Sequence, residues 1–242
     1  MLSNIRIVLV ETTHPGNIGA VARAMKNMNL SHLHLVKPKT FPSIEANARA
    51  SGADDLLRSA EVHDDLVSAL EGCRLIVGAS ARLRKVEWPQ VDPRACAAKL
   101  LPEANSGPVA VVFGRESSGL TNSELALCHN LVHIPSNPNY SSLNVAMAVQ
   151  VVAYELNMAM HYGSADYQAE TLPEVASSAA MEGFHTHLEQ AIIDIGFSDP
   201  KQSEKLLLRL RRLFARARPD SDELNILRGI LSACQGRKSM RR

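Results

Sequence analysis

The chain has 242 residues, 45% of them hydrophobic, and a formal net charge of +1, enough to bury a sizeable core as one main domain with room for a smaller second one. No stretch approaches the roughly 20 apolar residues of a membrane span, and the N-terminus lacks a basic region followed by a long apolar run, so a cytoplasmic location without membrane attachment is expected. Cys73, Cys96, Cys128 and Cys234 lie far apart, with no C-x-x-C pair and no alternation with histidine at zinc-site spacing, which predicts reduced thiols and no metal site.

Short β-branched runs alternate with helix-like segments up to about residue 160, the pattern of an α/β domain with a mostly parallel sheet and helices on both faces. The spacing predicts strands at Ile5–Val10, His32–Val36, Glu61–His63, Leu75–Ala79, Val109–Gly114 and Leu131–Ile134. Helices are predicted between them at Asn17–Asn29, Asp64–Gly72, Pro93–Ala104, Asn122–Cys128 and Leu143–Met160. Thr121 with Glu124, and Asp92 with Pro93, are helix-start signals. This first domain is expected over residues 1–162.

Residues 163–180 lose apolar periodicity and read as a linker rich in small and polar residues. A small all-α domain is predicted over 181–242. Phe184, Leu188, Ile192 and Ile195 recur at helical spacing, Asp199 before Pro200 starts a second helix, and Asp220 with Glu223 starts a third. The middle helix, 200–218, would bury Leu206, Leu207, Leu210 and Phe214 and present Lys205, Arg209, Arg212 and Arg216 as a basic stripe. Residues 201–242 hold 12 basic and 4 acidic side chains, a net +8, so the rest of the chain carries −7. Attraction for a polyanion, a nucleic acid first of all, is therefore expected at the C-terminal end.

Three loops could carry chemistry. The first runs Glu11-Thr-Thr-His-Pro-Gly-Asn17 into a helix opening Asn17-Ile-Gly19-Ala-Val-Ala-Arg23. The G-x-G-x-x-G fingerprint and the acidic end of the second strand are absent, as is G-x-x-x-x-G-K-[ST], which weakens dinucleotide and nucleoside-triphosphate readings. Asn17, Gly19 and Arg23 on the first turns of a helix, where backbone donors face outward, would favour an anion such as a phosphate, or Asn17 is a plain N-cap and Arg23 a surface residue. The second is Val111-Val-Phe-Gly114-Arg115-Glu116-Ser-Ser-Gly119-Leu120-Thr121, where a ligand could approach Gly114, or Arg115 and Glu116 could form a plain surface pair. The third is Ile134-Pro-Ser-Asn-Pro-Asn-Tyr140-Ser141-Ser142-Leu143-Asn144, leading into an Ala/Val-rich helix that Ser141 or Ser142 could cap.

Together these motifs resemble the three ordered motifs of the SPOUT methyltransferases, over residues 1 to about 160. The Asn-Pro-x-Tyr-Ser-Ser-Leu-Asn form of the third is similar to a TrmH-like branch that methylates the ribose at position 32 of the tRNA anticodon loop. The resemblance implies a C-terminal trefoil knot forming the cofactor pocket, S-adenosyl-L-methionine as cofactor, tRNA as partner and a homodimer. It implies that Ala79, Ser80, Ala81, Gly114, Ile134, Ser141, Ser142, Leu143 and Asn144 surround the cofactor. It also implies a catalytic set of Arg23, Ser142, Glu116 and Asn17. A guanidinium titrates above about 12, so Arg23 is expected to grip a phosphate and the developing alkoxide rather than to accept the proton, with Glu116 orienting Arg23 or another arginine. RNA contacts are expected from Arg23, Arg82, Arg84, Arg115, Lys205, Arg209, Arg212 and Arg216.

Trp88 reads equally as a base-stacking surface or as a core plug. The pairs His32/His34 and His185/His187 lack a third ligand nearby in sequence and read as structural. Methylation of another tRNA or rRNA ribose, an RNA-binding module on a degenerate methyltransferase fold, and an α/β oxidoreductase stay open.

Overall fold

A computed structural model describes residues 2–81, 88–162, 175–199 and 204–236. Its first part is one seven-stranded sheet, all pairings parallel. In chain order the elements are β1 (Ile5–Val10), α1 (Pro15–Asn27), β2 (His32–Val36), α2 (Ile44–Ala50), α3 (Asp54–Arg58), β3 (Glu61–His63), α4 (Leu66–Ala69), β4 (Leu75–Ala79), β5 (Gln90–Val91), α5 (Pro93–Ser106), β6 (Val109–Phe113), α6 (Asn122–Leu125), β7 (Asn130–Val132) and α7 (Val145–Tyr162). Three more helices follow: α8 (Ser178–Asp194), α9 (Glu204–Ala217) and α10 (Ser221–Cys234).

The strand order is β3-β2-β1-β6-β4-β7-β5. Side chains alternate across the sheet, as the pleat requires. Ile5, Ile7 and Leu9 of β1 join the core under α1, α5 and α7, whereas Val8 and Val10 join a second core under α4 and α6. Both faces being covered explains why the strands read as continuous apolar runs rather than alternating ones. β7 lies between β4 and β5, which are neighbours in sequence, so the segment after β7 re-enters the structure beside the end of β4.

Several elements differ from their sequence-based bounds. α2, α3 and β5 were not predicted: α2 and α3 are short, and β5 has two residues. Helix α1 starts at Pro15, with His14 as its N-cap, so Asn17 is the third helical residue and not the cap. Asn144, rather than Ser141 or Ser142, caps α7: its Oδ1 accepts the Ala146 N–H at 2.9 Å. The starts at Thr121/Glu124, Asp92 and Asp220/Glu223 are formed as expected. Trp88 is buried, with Nε1 donating to the Cys128 carbonyl at 3.3 Å, which makes it a core plug. Buried His34 has its Nδ1 2.9 Å from Nε2 of His63, and the Glu61 carboxylate lies 3.9 Å from its other nitrogen. Burial first of all pushes His34 down to about 4, so at neutral pH it is an uncharged ring.

The last three helices enclose their own cluster around Phe184, Leu188, Ile192 and Leu224, with Leu206, Leu207, Leu210 and Phe214 packed against it. A buried carboxylate sits where they meet the sheet domain. Glu103 of α5, 1% exposed, accepts from Arg74 at 3.2 Å and from Arg218 in the α9–α10 turn. Ser178 Oγ adds a 2.6 Å bond to the Leu70 carbonyl. Removing charge from a buried carboxylate leaves both guanidinium groups facing a neutral partner. Glu103→Gln is therefore expected to lower unfolding stability by about 2–3 kcal/mol, discounted because both arginines are partly solvated. Equilibrium urea unfolding checks this, and an unchanged midpoint would contradict it.

Candidate active site

The carboxyl ends of β4, β6 and β7 stop at Ala79, Phe113 and Val132, and the loops beyond them wall a pocket at the position where open α/β sheets bind ligands. Its empty space, open mouth included, is about 1520 Å³. All nine residues expected around a cofactor line it: Ala79, Ser80, Ala81, Gly114, Ile134, Ser141, Ser142, Leu143 and Asn144. The sequence reading missed its apolar walls, Phe113, Leu120, Val132, Val145 and Ala148. Their signal was present, since a residue ending a buried strand beside a Gly or polar loop tends to face such a crevice.

Gly114 has a local reason to be glycine. A Cβ there would lie 2.2 Å from the Gly119 carbonyl carbon, because residues 115–119 fold back in a tight turn closed by paired Arg115 and Gly119 backbone bonds. Gly119, at φ +69°, sits in the left-handed region that this turn needs. The close approach is therefore to the chain's own backbone.

Arg115 and Glu116 do not pair with each other. Arg115 lies between two carboxylates, with Nε and Nη2 on Glu11 at 2.9 and 2.7 Å and Nη1 and Nη2 on Glu124 at 3.0 Å each. Its guanidinium is thus committed within the chain, and these hydrogen bonds, Glu124's first and then Glu11's, raise its pKa further. Glu116 instead reaches the start of α1. Its carboxylate accepts from Thr13 N–H at 3.1 Å, Thr13 Oγ1 at 3.0 Å, His14 N–H at 3.3 Å and Asn17 Nδ2 at 2.9 Å. The anion anticipated at this helix N-terminus is the protein's own carboxylate.

Asn17 completes the connection. Its Oδ1 accepts from Asn144 Nδ2 at 3.0 Å, so one amide bridges the second motif to the third. Partial burial alone would raise the Glu116 pKa, but the bond from Asn17 and the backbone N–H groups of Glu116, Thr13 and His14 outweigh it and hold the carboxyl at about 2. Within one chain Glu116 touches neither Arg23 nor Arg115. Arg23 is exposed on α1, outside the pocket lining, and its Nη1 makes a 3.4 Å contact with Ser51 Oγ. Gly19 permits the close crossing there, since a Cβ would lie 2.0 Å from the Ala46 carbonyl oxygen of α2.

Arg82 and Arg84 lie outside the described residues. On α9, Lys205, Arg209 and Arg216 are exposed and Arg212 is half-buried. Arg211 turns the other way and pairs with Glu182 through two 2.6 Å bonds.

Residues 4–154 match the SpoU rRNA Methylase family, and residues 179–242 match the C-terminal domain of tRNA methyltransferase TrmJ. The tRNA (cytidine/uridine-2'-O-)-methyltransferase TrmJ of Pectobacterium atrosepticum is 52% identical over 239 residues, covering 97% of this chain and 98% of the relative. The chain belongs to the TrmJ family. The crystal structure of TrmJ from Z. mobilis ZM4 agrees with TM-score 0.81 at 32% identity, over 94% of this chain and 97% of that one. At 20% identity, the SpoU methyltransferase AviRb from Streptomyces viridochromogenes, solved in complex with the cofactor AdoMet, shares the fold alone, with TM-score 0.53 over 66% of this chain and 62% of that one.

In this TrmJ-family site, Glu116 is ionised throughout the working pH range. Its folded pKa lies below its ordinary 4.5, so what it contributes is fully present above that value and is lost only as pH falls toward about 2. Glu116→Gln should lower methyl transfer on the order of 10- to 100-fold by loosening Thr13 and Asn17, without moving any inflection between pH 6 and 9. A pH–rate profile tests this: an inflection in that window that vanishes in the variant would make Glu116 a proton acceptor instead.

Proposed function

We propose that the protein transfers a methyl group from S-adenosyl-L-methionine to a ribose 2'-hydroxyl of the tRNA anticodon loop, on cytidine or uridine at position 32. The observation that carries this reading is the pocket at the ends of β4, β6 and β7, tied across all three motifs by the Glu116–Asn17–Asn144 chain. Membership of a methyltransferase family displaces the oxidoreductase and binding-module alternatives. The position of β7 between β4 and β5 supports the trefoil-knot threading of the SPOUT class.

The residues present fit the cofactor. Leu120, Val132, Ile134, Leu143 and Ala148 offer apolar surface to an adenine, the loop backbones at 79–81 and 134–144 offer donors and acceptors, and ionised Glu116 at the rim suits a cationic sulfonium. When bound, the cofactor supplies the electrophilic methyl group. The protein's part is alignment and charge stabilisation. Ser142 is exposed and lines the pocket, which supports a hydrogen bond from it to the target ribose, while a phosphate or water accepts the hydroxyl proton.

Arg23 lies outside the lining of its own chain's pocket, and this favours a homodimer in which a second copy supplies it. The outward face of α7 carries Met147, Val151, Tyr154 and Met158 at helical spacing, an apolar stripe suited to such an interface. Arg23 then grips the phosphate beside the ribose and steadies the developing alkoxide. Lys205, Arg209 and Arg216 provide a basic track for the tRNA backbone.

Labelled S-adenosyl-L-methionine and unmodified tRNA transcripts test the reaction. A 2'-O-methyl mark at one anticodon-loop ribose is expected, falling at least about 100-fold in Arg23→Ala; transfer to no tRNA would end the reading. Mixing inactive Arg23→Ala with inactive Ser142→Ala subunits should restore roughly a quarter of wild-type activity, because half the dimers are hybrids with one intact site. Zero recovery from exchanged subunits would place both residues in one chain's site. Replacing Lys205, Arg209 and Arg216 together with alanine should flatten the log–log salt dependence of tRNA binding by about 2–3 units; an unchanged slope would remove α9 from the RNA contact.

A further inference from the structure

Tyr140 stands out among the pocket residues because its ring is packed against nothing that hides it. It is 81% exposed, the highest value among the described aromatic residues, yet it lies on the lip of the pocket beside Ser141 and Ser142. The loop that carries it has no regular secondary structure but is not loose. The Tyr140 N–H donates to the Asn137 carbonyl at 2.9 Å, the Asn139 N–H to Asn137 Oδ1 at 2.9 Å, and Ser136 Oγ to the Ser141 carbonyl at 3.2 Å. The turn is stapled on both sides of the tyrosine, and the ring is held outward at the mouth of the cavity.

We propose that Tyr140 is the stacking platform for the nucleobase of the nucleotide being methylated. The inference rests on the reading of the pocket as a ribose 2'-O-methylation site. Bringing a ribose hydroxyl into a recessed pocket pulls its nucleotide away from its neighbours, and the base loses its stacking partners. An exposed aromatic face two residues before Ser142 gives that base a new partner while the ribose faces the hydroxyl-lined wall. The cavity itself, about 490 Å³, is the size of a site for one small ligand, so the base is left at the mouth, where Tyr140 stands. Stacking engages the face common to all bases rather than the donors and acceptors on their edges, so the platform holds cytidine and uridine alike. Discrimination between pyrimidine and purine then falls to size and loop geometry rather than to Tyr140.

The full-length protein with Tyr140→Ala, Tyr140→Phe and Tyr140→Trp provides the test. The readouts are kcat/KM on transcripts carrying cytidine or uridine at the target, the Kd for S-adenosyl-L-methionine, and the emission of a fluorescent cytidine analogue placed there. Tyr140→Ala should lose about 10- to 100-fold in kcat/KM, equally for both bases, and abolish the quenching of the analogue. Its cofactor Kd should stay within about twofold, and Phe and Trp should restore most of the loss, since a ring face is what the site uses. A cofactor Kd that weakens as much as kcat/KM would make the ring a cover for the cofactor and overturn the proposal. So would a Phe variant as poor as Ala, which would assign the role to the hydroxyl. An active wild type matched by Tyr140→Ala overturns this inference alone, whereas a wild type that transfers no methyl group overturns the proposed function and the inference with it.

Discussion

One carboxylate organises the working end of the molecule. Glu116 gives up part of its hydration to sit at the start of α1, a position that a carboxylate tolerates only when donors replace the water it has lost. Four donors do so, two from the backbone and two from side chains. Because Asn17 hands the connection on to Asn144, the loops after β1, β6 and β7 cannot shift independently. A pocket assembled from three loops acquires the rigidity of a single element, which suits a reaction whose catalysis is mostly alignment.

Charge is divided between holding the fold and facing the partner. Arg115, Arg211 and Arg218 each sit against carboxylates of their own chain, at the pocket rim, within the helical unit and at the docking seam respectively. Lys205, Arg209 and Arg216 remain outward. Counting charges along the chain cannot tell these groups apart, since the difference lies in which side of a helix a residue occupies and what stands opposite. Within α9, Arg211 and Arg212 are adjacent in sequence, yet Arg211 has left the basic face for Glu182.

The parallel sheet and the strand positions were legible because they depend on local signals, apolar runs and capping residues, whereas the nine pocket-lining residues were legible only through the resemblance of the three motifs to a known family. What escaped depends on contacts between distant segments. Asn17 read as a helix cap because Asn is a good one, but Pro15 starts the helix earlier and frees the Asn17 amide to bridge Glu116 and Asn144. Gly114 read as room for a ligand, whereas its neighbour in space is Gly119. Helix α2 is brief and its pattern weak, and its place is set by a glycine on another helix, Gly19. Trp88 had two equal readings that only the position of the Cys128 carbonyl could separate.

The place of β7 also bears on how the chain reaches its shape. β4 and β5 precede it in synthesis, yet neither is hydrogen-bonded to the other, and among the described residues β5 pairs with no strand except β7. The far edge of the sheet therefore stays open until residues 130–132 arrive, and those pairings span a long stretch of chain, a combination that slows folding and leaves strand edges exposed meanwhile. The same late segment brings Ile134, Ser141, Ser142 and Asn144 to the pocket. A nascent chain thus gains this pocket only when the sheet closes, so an intact pocket certifies a finished sheet.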